Sequence, residues 1–119
     1  DNIVRVGRSF GFDRARAGEP YWPLLDERPR TLVLLGSRGD YGYGPGGRIE
    51  AMNHVEPAVR TAFGYIGISD VRRVAVEYDE FGGERLAASL HAAEAAVDAL
   101  ADTLLAEHAL RAGQAPVTA

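Results

Sequence analysis

Hydrophobic positions follow two kinds of pattern along this chain. Residues 31–35 form an apolar run, which is typical of a central strand buried on both faces of a parallel sheet. Residues 71–78 alternate apolar and polar side chains, which indicates a second, more exposed strand. Elsewhere apolar residues recur three and four positions apart. This spacing predicts an amphipathic helix over residues 48–66 and a long Ala-rich helix from about residue 84 to residue 110.

The remaining segments are short or rich in turn residues. Residues 1–8 have the pattern of a helix tail that Gly7 ends, and residues 9–25 place aromatic rings among Gly and Pro, which predicts an irregular hairpin. A glycine-rich loop over residues 36–47 directly follows the first strand. Pro57 marks a helix start or a kink, and residues 111–119 are expected to be a flexible tail.

The order of these elements predicts an α/β fold, in which a parallel sheet carries helices on both faces. The chain supplies about two core strands and two to three helices. Two strands do not make a stable sheet, because three or more strands with covered faces are normally required. We therefore expect further strands to come from sequence before residue 1 or from another chain.

Length, charge and composition exclude several classes of protein. The 119 residues allow one domain at most, and no apolar run is long enough to cross a bilayer. The 13 basic and 17 acidic residues give a net charge of -4, which argues against nucleic acid and membrane partners. Cysteine is absent, which excludes disulfides and thiolate metal sites and is compatible with the cytoplasm. All 13 basic residues are Arg, which we interpret as the codon bias of a GC-rich bacterial genome.

Four stretches of the sequence resemble one enzyme family. They read DNIVRVGRSFGF at residues 1–12, LVLLGSRG at residues 32–39, Gly-Pro at residues 44–45 and, most specifically, FGYIGISDV at residues 63–71. Together with the last helix they cover nearly all of residues 1–110. On these motifs the chain resembles the C-terminal half of the flavodoxin-like, FMN-dependent NADH-azoreductase and NAD(P)H quinone reductase family.

The resemblance implies a five-stranded parallel sheet in the order 2-1-3-4-5, with the two strands here as the fourth and fifth. In that family a Ser-rich loop after the first strand holds the FMN phosphate, and a segment after the third strand lines the flavin. Neither segment is present in these 119 residues. Residues 1–119 are therefore expected to form the C-terminal portion of a single flavodoxin-like domain.

The resemblance also implies which residues form the site. Its Ser-Arg-Gly motif places the flavin edge at Ser37, Arg38, Gly39 and Asp40, where small side chains let backbone amides approach a planar ring. Asp40 stands where the family usually has glycine, so its side chain is expected to point outward or to cap the next helix. The resemblance places the Phe12 ring over the substrate and the Tyr65 ring where it closes the pocket across a dimer interface. The third expected substrate-binding residue is His54, which lies in the added segment from Gly46 to Glu56.

Each of these residues also has a purely structural interpretation. The Ser37–Asp40 segment fits a plain tight turn, and the two rings fit a core or a subunit interface. His54 is a proton-donor candidate because histidine titrates near neutrality, but a histidine early in a helix is more often a capping or solvated residue. His91 and His108 lack a partner at metal-ligand spacing, so we expect no metal site. The acidic run over residues 77–80 is interpreted as a structural turn.

Two functions follow from the sequence. In the first, the chain is part of an FMN-dependent oxidoreductase that takes hydride from NADH or NADPH and reduces quinones or azo compounds in a ping-pong cycle. The resemblance adds a homodimer and a flat aromatic acceptor as partners. In the second, the chain is a non-catalytic fragment or interaction module that lacks the FMN phosphate site and associates through its exposed strand edge.

Overall fold

The computed structural model describes residues 3–114. Within them the chain forms two short strands, two longer strands and two α-helices, with a 3-10 helix before the first α-helix. In chain order these are β1 (Phe10–Phe12), β2 (Tyr21–Pro23), β3 (Thr31–Ser37), the 3-10 helix (Glu50–Met52), α1 (Val55–Tyr65), β4 (Asp70–Val76) and α2 (Gly83–Gln114). The aromatic hairpin, both predicted strands and both predicted helices are therefore present.

Strands β3 and β4 are hydrogen-bonded neighbours in a two-stranded parallel sheet. Where both strands begin, the Thr31 hydroxyl donates a hydrogen bond to Asp70 Oδ2 at 2.7 Å. Where both end, the Arg38 amide donates to the carbonyl oxygen of Val76 at 2.9 Å. The two strands run in the same direction, and their carboxyl ends lie at the same edge.

The apolar side chains of β3 are less buried than the sequence predicts. Val33 is 38% exposed and Leu35 is 61% exposed. Burial of a parallel strand on both faces requires neighbouring strands and helices over each face. Among the described residues β4 is its sheet neighbour, so the expected two-sided burial does not occur within this part of the chain.

The chain divides into two compact units. The first contains Asp1–Leu35 and Tyr41–Arg73, and the second contains Gly36–Asp40 and Val74–Ala119. In the first unit β1 and β2 pair antiparallel, and α1 lies beside β2. Ile66, directly after α1, is fully buried, and its carbonyl oxygen accepts a hydrogen bond from the Leu25 amide at 3.0 Å. Ile66 is thus the centre of this unit's small core.

The second unit is dominated by α2, whose 32 residues span roughly 48 Å. Gly82 and Gly83 turn the chain into this helix with φ angles of +62° and +61°, which glycine adopts without strain. The Ser89 hydroxyl oxygen accepts a hydrogen bond from the Glu77 amide at 2.9 Å, and Ala93 is buried. Between residues 3 and 114, neither α-helix is both long and apolar enough to cross a bilayer.

The predicted helix tail over residues 1–8 is wrong for the residues that are described. Residues 3–8 form bends and a turn, because the Ser9 hydroxyl oxygen accepts a hydrogen bond from the Arg5 amide and draws the chain back on itself. Gly7 has the expected positive φ, at +72°, but it serves this turn rather than a helix end. Asp1 and Asn2, which belong to the same prediction, lie outside the described residues.

The predicted helix over residues 48–66 is divided into two pieces. Asn53 separates the 3-10 helix from α1, since its side-chain oxygen accepts a hydrogen bond from the Glu56 amide and its side-chain nitrogen donates to the carbonyl oxygen of Tyr43. Pro57 lies in the first turn of α1, where a missing amide hydrogen costs nothing.

The long helix α2 extends further than the sequence predicts. It continues to Gln114, so the first four residues of the expected flexible tail, 111–114, are helical. Residues 115–119, the rest of that prediction, lie outside the described residues.

A buried ion pair ties α1 to β4 within the first unit. Glu56 is 8% exposed, and its Oε2 lies 3.2 Å from Nε of Arg73. We expect Glu56→Gln to lower the free energy of unfolding by about 1–3 kcal/mol, because it leaves a partly buried guanidinium without its counter-charge. Urea unfolding of the purified protein measures this change. Glu27→Gln, which breaks an exposed pair with Arg30, is the matched control and is expected to change nothing measurable.

Candidate functional site

The carboxyl ends of β3 and β4 present two loops that are hydrogen-bonded to each other. The carbonyl oxygens of Arg38 and Gly39 accept hydrogen bonds from the Asp79 and Glu80 amides at 3.1 and 3.0 Å. The Asp40 carbonyl oxygen accepts one from the Tyr78 amide at 3.4 Å. The carbonyl groups of residues 38–40 therefore face the neighbouring loop.

Two hydrogen-bond donors of this segment have no partner among residues 3–114. They are the Gly39 amide and the Ser37 hydroxyl. Gly39 is half-buried and Ser37 is exposed. Ligands of open parallel sheets bind outside the carboxyl ends of the strands, which is where these donors lie. The flavin ring edge carries carbonyl oxygens and ring nitrogens that accept hydrogen bonds, so this donor pair fits it chemically.

The side chain of Arg38 is already engaged. Its Nη1 lies 3.3 Å from Oε1 of Glu77, and the two side chains are 14% and 23% exposed. This largely buried pair neutralises the guanidinium and holds the backbone of the segment in place. Arg38 can therefore contribute to a site by fixing the position of its neighbour Gly39.

Gly39 lies against a side chain that the sequence did not place beside it, that of Glu80. A Cβ atom at this position would lie 2.8 Å from Cγ of Glu80 and 2.8 Å from its Oε1. Carbon atoms do not approach this closely without one of them moving. The absent side chain thus makes room for Glu80 as well as leaving the amide accessible.

The neighbouring loop contains a residue in an unfavourable backbone conformation. Tyr78 has a φ of +71°, which non-glycine residues seldom adopt. Its carbonyl oxygen accepts hydrogen bonds from the Phe81 and Gly82 amides at 3.0 and 3.1 Å, and these bonds hold the strained geometry. Such strain is concentrated at ligand sites in proteins, so it marks this edge of the sheet as a candidate site.

A second candidate feature, in the first unit, is a group of four aromatic rings that we call the aromatic cluster: Phe10, Phe12, Tyr21 and Tyr65. The Tyr65 ring centroid lies 5.1 Å from that of Phe10 and 5.9 Å from that of Tyr21. The Phe12 and Tyr21 centroids are 4.9 Å apart. These separations are those of interacting aromatic pairs. Phe12, Tyr21 and Tyr65 are 43%, 50% and 41% exposed, so the cluster presents ring surface to solvent.

The hairpin explains how these rings come together. Side chains alternate between the two faces of a strand, so Phe10 and Phe12 share one face of β1, and Tyr21 lies directly opposite Phe12 on β2. On the other face the Trp22 indole lies against Gly11, which leaves no room there for a Cβ atom. Phe12 and Tyr65 were predicted from the sequence, whereas Phe10 and Tyr21 were missed, although the period-two spacing of the hairpin could have indicated both.

The environment of Tyr65 favours its neutral form. Partial desolvation by its neighbours, together with the nearby Tyr21 phenol, raises the pKa of Tyr65 above its usual value. Its hydroxyl consequently stays protonated, and able to donate a hydrogen bond, throughout the physiological pH range.

His54 is exposed and precedes α1 at the N-cap position. Its side chain neither caps the helix nor makes another hydrogen bond among the described residues. A cleft of about 280 Å³ is lined by three residues of the expected added segment and four that flank it, and its lining does not include His54: Tyr43, Pro45, Glu50, Asn53, Glu56, Pro57 and Arg60. A role of His54 in substrate binding stays a prediction.

Comparison with known proteins places this fold in a family. A family profile described as a flavodoxin-like fold matches residues 1–101. The chain belongs to this flavodoxin-like family. The family membership and the α/β fold expected from the sequence are thereby confirmed.

Several curated proteins are similar to this chain. The FMN-dependent NAD(P)H:quinone oxidoreductase 1 of Pseudomonas aeruginosa is 45% identical over 101 residues, which are 85% of this chain and 47% of the relative. The FMN-dependent NADH:quinone oxidoreductase 1 of Pseudomonas fluorescens is 44% identical over 94 residues, 79% of this chain and 43% of the relative. The FMN-dependent NADH:quinone oxidoreductase 2 of Idiomarina loihiensis is 35% identical over 104 residues, which are 87% of this chain and 42% of the relative. The chain thus spans less than half the length of these relatives.

Proposed function

We propose that this flavodoxin-like chain is the C-terminal portion of a cytoplasmic FMN-dependent oxidoreductase that reduces quinones with NADH or NADPH, and that flat azo compounds are also accepted. The balanced reaction is NAD(P)H + H⁺ + quinone → NAD(P)⁺ + hydroquinone. Relatives that are 45% and 44% identical carry FMN and quinone in their names. The observation that carries the proposal is the unpartnered donor pair of Ser37 and Gly39 at the carboxyl end of β3.

Residues of the Ser37–Asp40 segment would hold the edge of the flavin ring. The Gly39 amide and the Ser37 hydroxyl would donate hydrogen bonds to the ring edge, and the Arg38–Glu77 pair would keep the segment in position. When bound, FMN supplies the two-electron chemistry, accepting hydride from the nicotinamide and passing it to the acceptor. Asp40 contributes its backbone to the same segment.

The aromatic cluster would bind the flat acceptor. Phe12, Tyr21 and Tyr65 supply exposed ring surface, and Phe10 packs against Tyr65. Stacking on such a surface suits quinones and azo dyes alike, because both are planar. We further propose that nicotinamide and acceptor bind in turn, in a ping-pong cycle, and that the enzyme is a homodimer in which His54 contacts the substrate.

Visible spectroscopy of the natural full-length protein tests this function. After incubation with FMN and gel filtration, we expect a flavin absorption band to co-elute with the protein, to bleach when NADH is added anaerobically, and to return when a quinone is added. A colourless protein, or a band that NADH does not bleach, would contradict the proposal. An intact-mass measurement establishes which residues the tested protein contains.

The same titration on residues 1–119 alone distinguishes the enzyme from the interaction module. The exposed Val33 and Leu35 side chains of β3 indicate a surface that other strands or helices cover. We expect this isolated chain to bind no FMN, while the natural full-length protein does. Absence of flavin from both would favour a non-catalytic interaction module.

A further inference from the structure

The aromatic cluster carries two hydroxyl groups that the protein itself does not use. Neither Tyr21 nor Tyr65 makes a hydrogen bond through its side chain among residues 3–114. Tyr21 and Tyr65 are 50% and 41% exposed, so each residue is accessible to a ligand.

The two hydroxyls lie beside exposed ring surface. The Tyr21 and Tyr65 centroids are 5.9 Å apart with their planes inclined by 52°. Phe10 and Phe12, which carry no polar atoms, flank them at 5.1 Å from Tyr65 and 4.9 Å from Tyr21. A flat molecule that stacks on this surface has its edge within reach of phenolic donors.

We propose that the Tyr21 and Tyr65 hydroxyls donate hydrogen bonds to ring oxygens of the acceptor, and thereby make the aromatic cluster selective for quinones over flat acceptors without oxygen. This inference rests on the proposed quinone reduction. Stacking alone does not distinguish flat molecules, since every planar ring has an apolar face. A hydrogen bond to a carbonyl oxygen does distinguish them, because a site built to donate to oxygen rejects analogues that cannot accept.

The protonation state of Tyr65 supports this role. A phenol donates a hydrogen bond only while it carries its proton, and the raised pKa of Tyr65 preserves that proton. The nearby Tyr21 phenol contributes to this raised pKa, so the Tyr65 hydroxyl remains a hydrogen-bond donor.

Tyr65→Phe and Tyr21→Phe test the inference in the natural full-length protein loaded with FMN. Each variant removes one hydroxyl and keeps the ring. We expect the KM for 1,4-naphthoquinone to rise about three- to tenfold, the effect of losing one hydrogen bond. The KM for methylene blue, a flat dye without oxygen, is expected to stay within twofold. Tyr43→Phe, which removes a hydroxyl outside the aromatic cluster, is the matched control and should change neither value.

A merely structural role for the two tyrosines would give a different result. If the variants raise the KM for both acceptors alike, or for neither, the selectivity inference is overturned, even though quinone turnover by the unaltered protein still supports the proposed function. Calorimetric titration of naphthoquinone into the oxidised protein needs no turnover and separates the two ideas. If the unaltered protein bound quinone more tightly than both variants but did not oxidise NADH, the role of the hydroxyls would be supported and the proposed reductase function would be refuted.

Discussion

Gly39→Val is expected to abolish FMN retention in the natural full-length protein and to leave its helices folded. A Cβ atom at this position meets the exposed Glu80 side chain at 2.8 Å, so the branched side chain displaces that side chain or shifts the Ser37–Asp40 segment. In either case the added methyl groups crowd the Gly39 amide, which we propose as a donor to the flavin. We expect the Kd for FMN to rise at least about tenfold, which corresponds to about 1.4 kcal/mol of lost binding free energy.

Fluorescence titration of FMN measures this Kd, and circular dichroism measures the helix content. Gly36→Ala is the matched control, because a Cβ atom there has no neighbour within 4 Å and the backbone conformation is an ordinary one. That variant is expected to bind FMN as the unaltered protein does. If Gly39→Val retained FMN and kept its NADH turnover, this segment would be removed from the site.

Ile66→Ala is expected to cause the largest loss of stability. Among the described residues, Ile66 has the one large side chain that is fully buried. It directly follows α1, and its carbonyl oxygen accepts a hydrogen bond from the Leu25 amide. Truncating a buried isoleucine removes packing contacts and leaves a cavity, which costs about 2–5 kcal/mol. We expect urea unfolding to give a free-energy decrease in this range.

An exposed leucine provides the comparison for Ile66. Leu105 on α2 is 68% exposed, so Leu105→Ala removes little buried surface and is expected to change the unfolding free energy by less than about 0.5 kcal/mol. Equal effects of the two substitutions would mean that Ile66 is not the centre of a core. Because Tyr65 precedes Ile66 in the chain, the Ile66 variant should also weaken quinone binding at the aromatic cluster.

The site could be predicted from the sequence only in part. The Ser-Arg-Gly motif after an apolar strand located the loop at the carboxyl end of β3, because a strand's direction and the loop that follows it are local properties. The contact of Glu80 with Gly39 depends on two segments that are about 40 residues apart in the chain. No local pattern encodes such a contact. The unpartnered state of the Gly39 amide likewise becomes visible only when the neighbouring loop is in place.

The aromatic cluster, too, could be predicted from the sequence only in part. Phe12 and Tyr65 were selected through the resemblance, whereas Phe10 and Tyr21 were missed. Their role depends on the register of β1 and β2, which sets Tyr21 opposite Phe12. A shift of one residue in that register would turn Tyr21 to the opposite face of the hairpin.

Periodicity and motif by themselves determined the two parallel strands, the two helices, the hairpin and membership of the flavodoxin-like family. These features follow from side-chain spacing and turn residues, which act over a few positions of the chain. Tertiary structure alone decided that residues 3–8 are a turn, that Asn53 divides the first predicted helix, and that the Tyr21 and Tyr65 hydroxyls are unpartnered. Each of these outcomes depends on a hydrogen bond made or not made by a single polar group, and such a bond is fixed only when the folded chain brings its partners together.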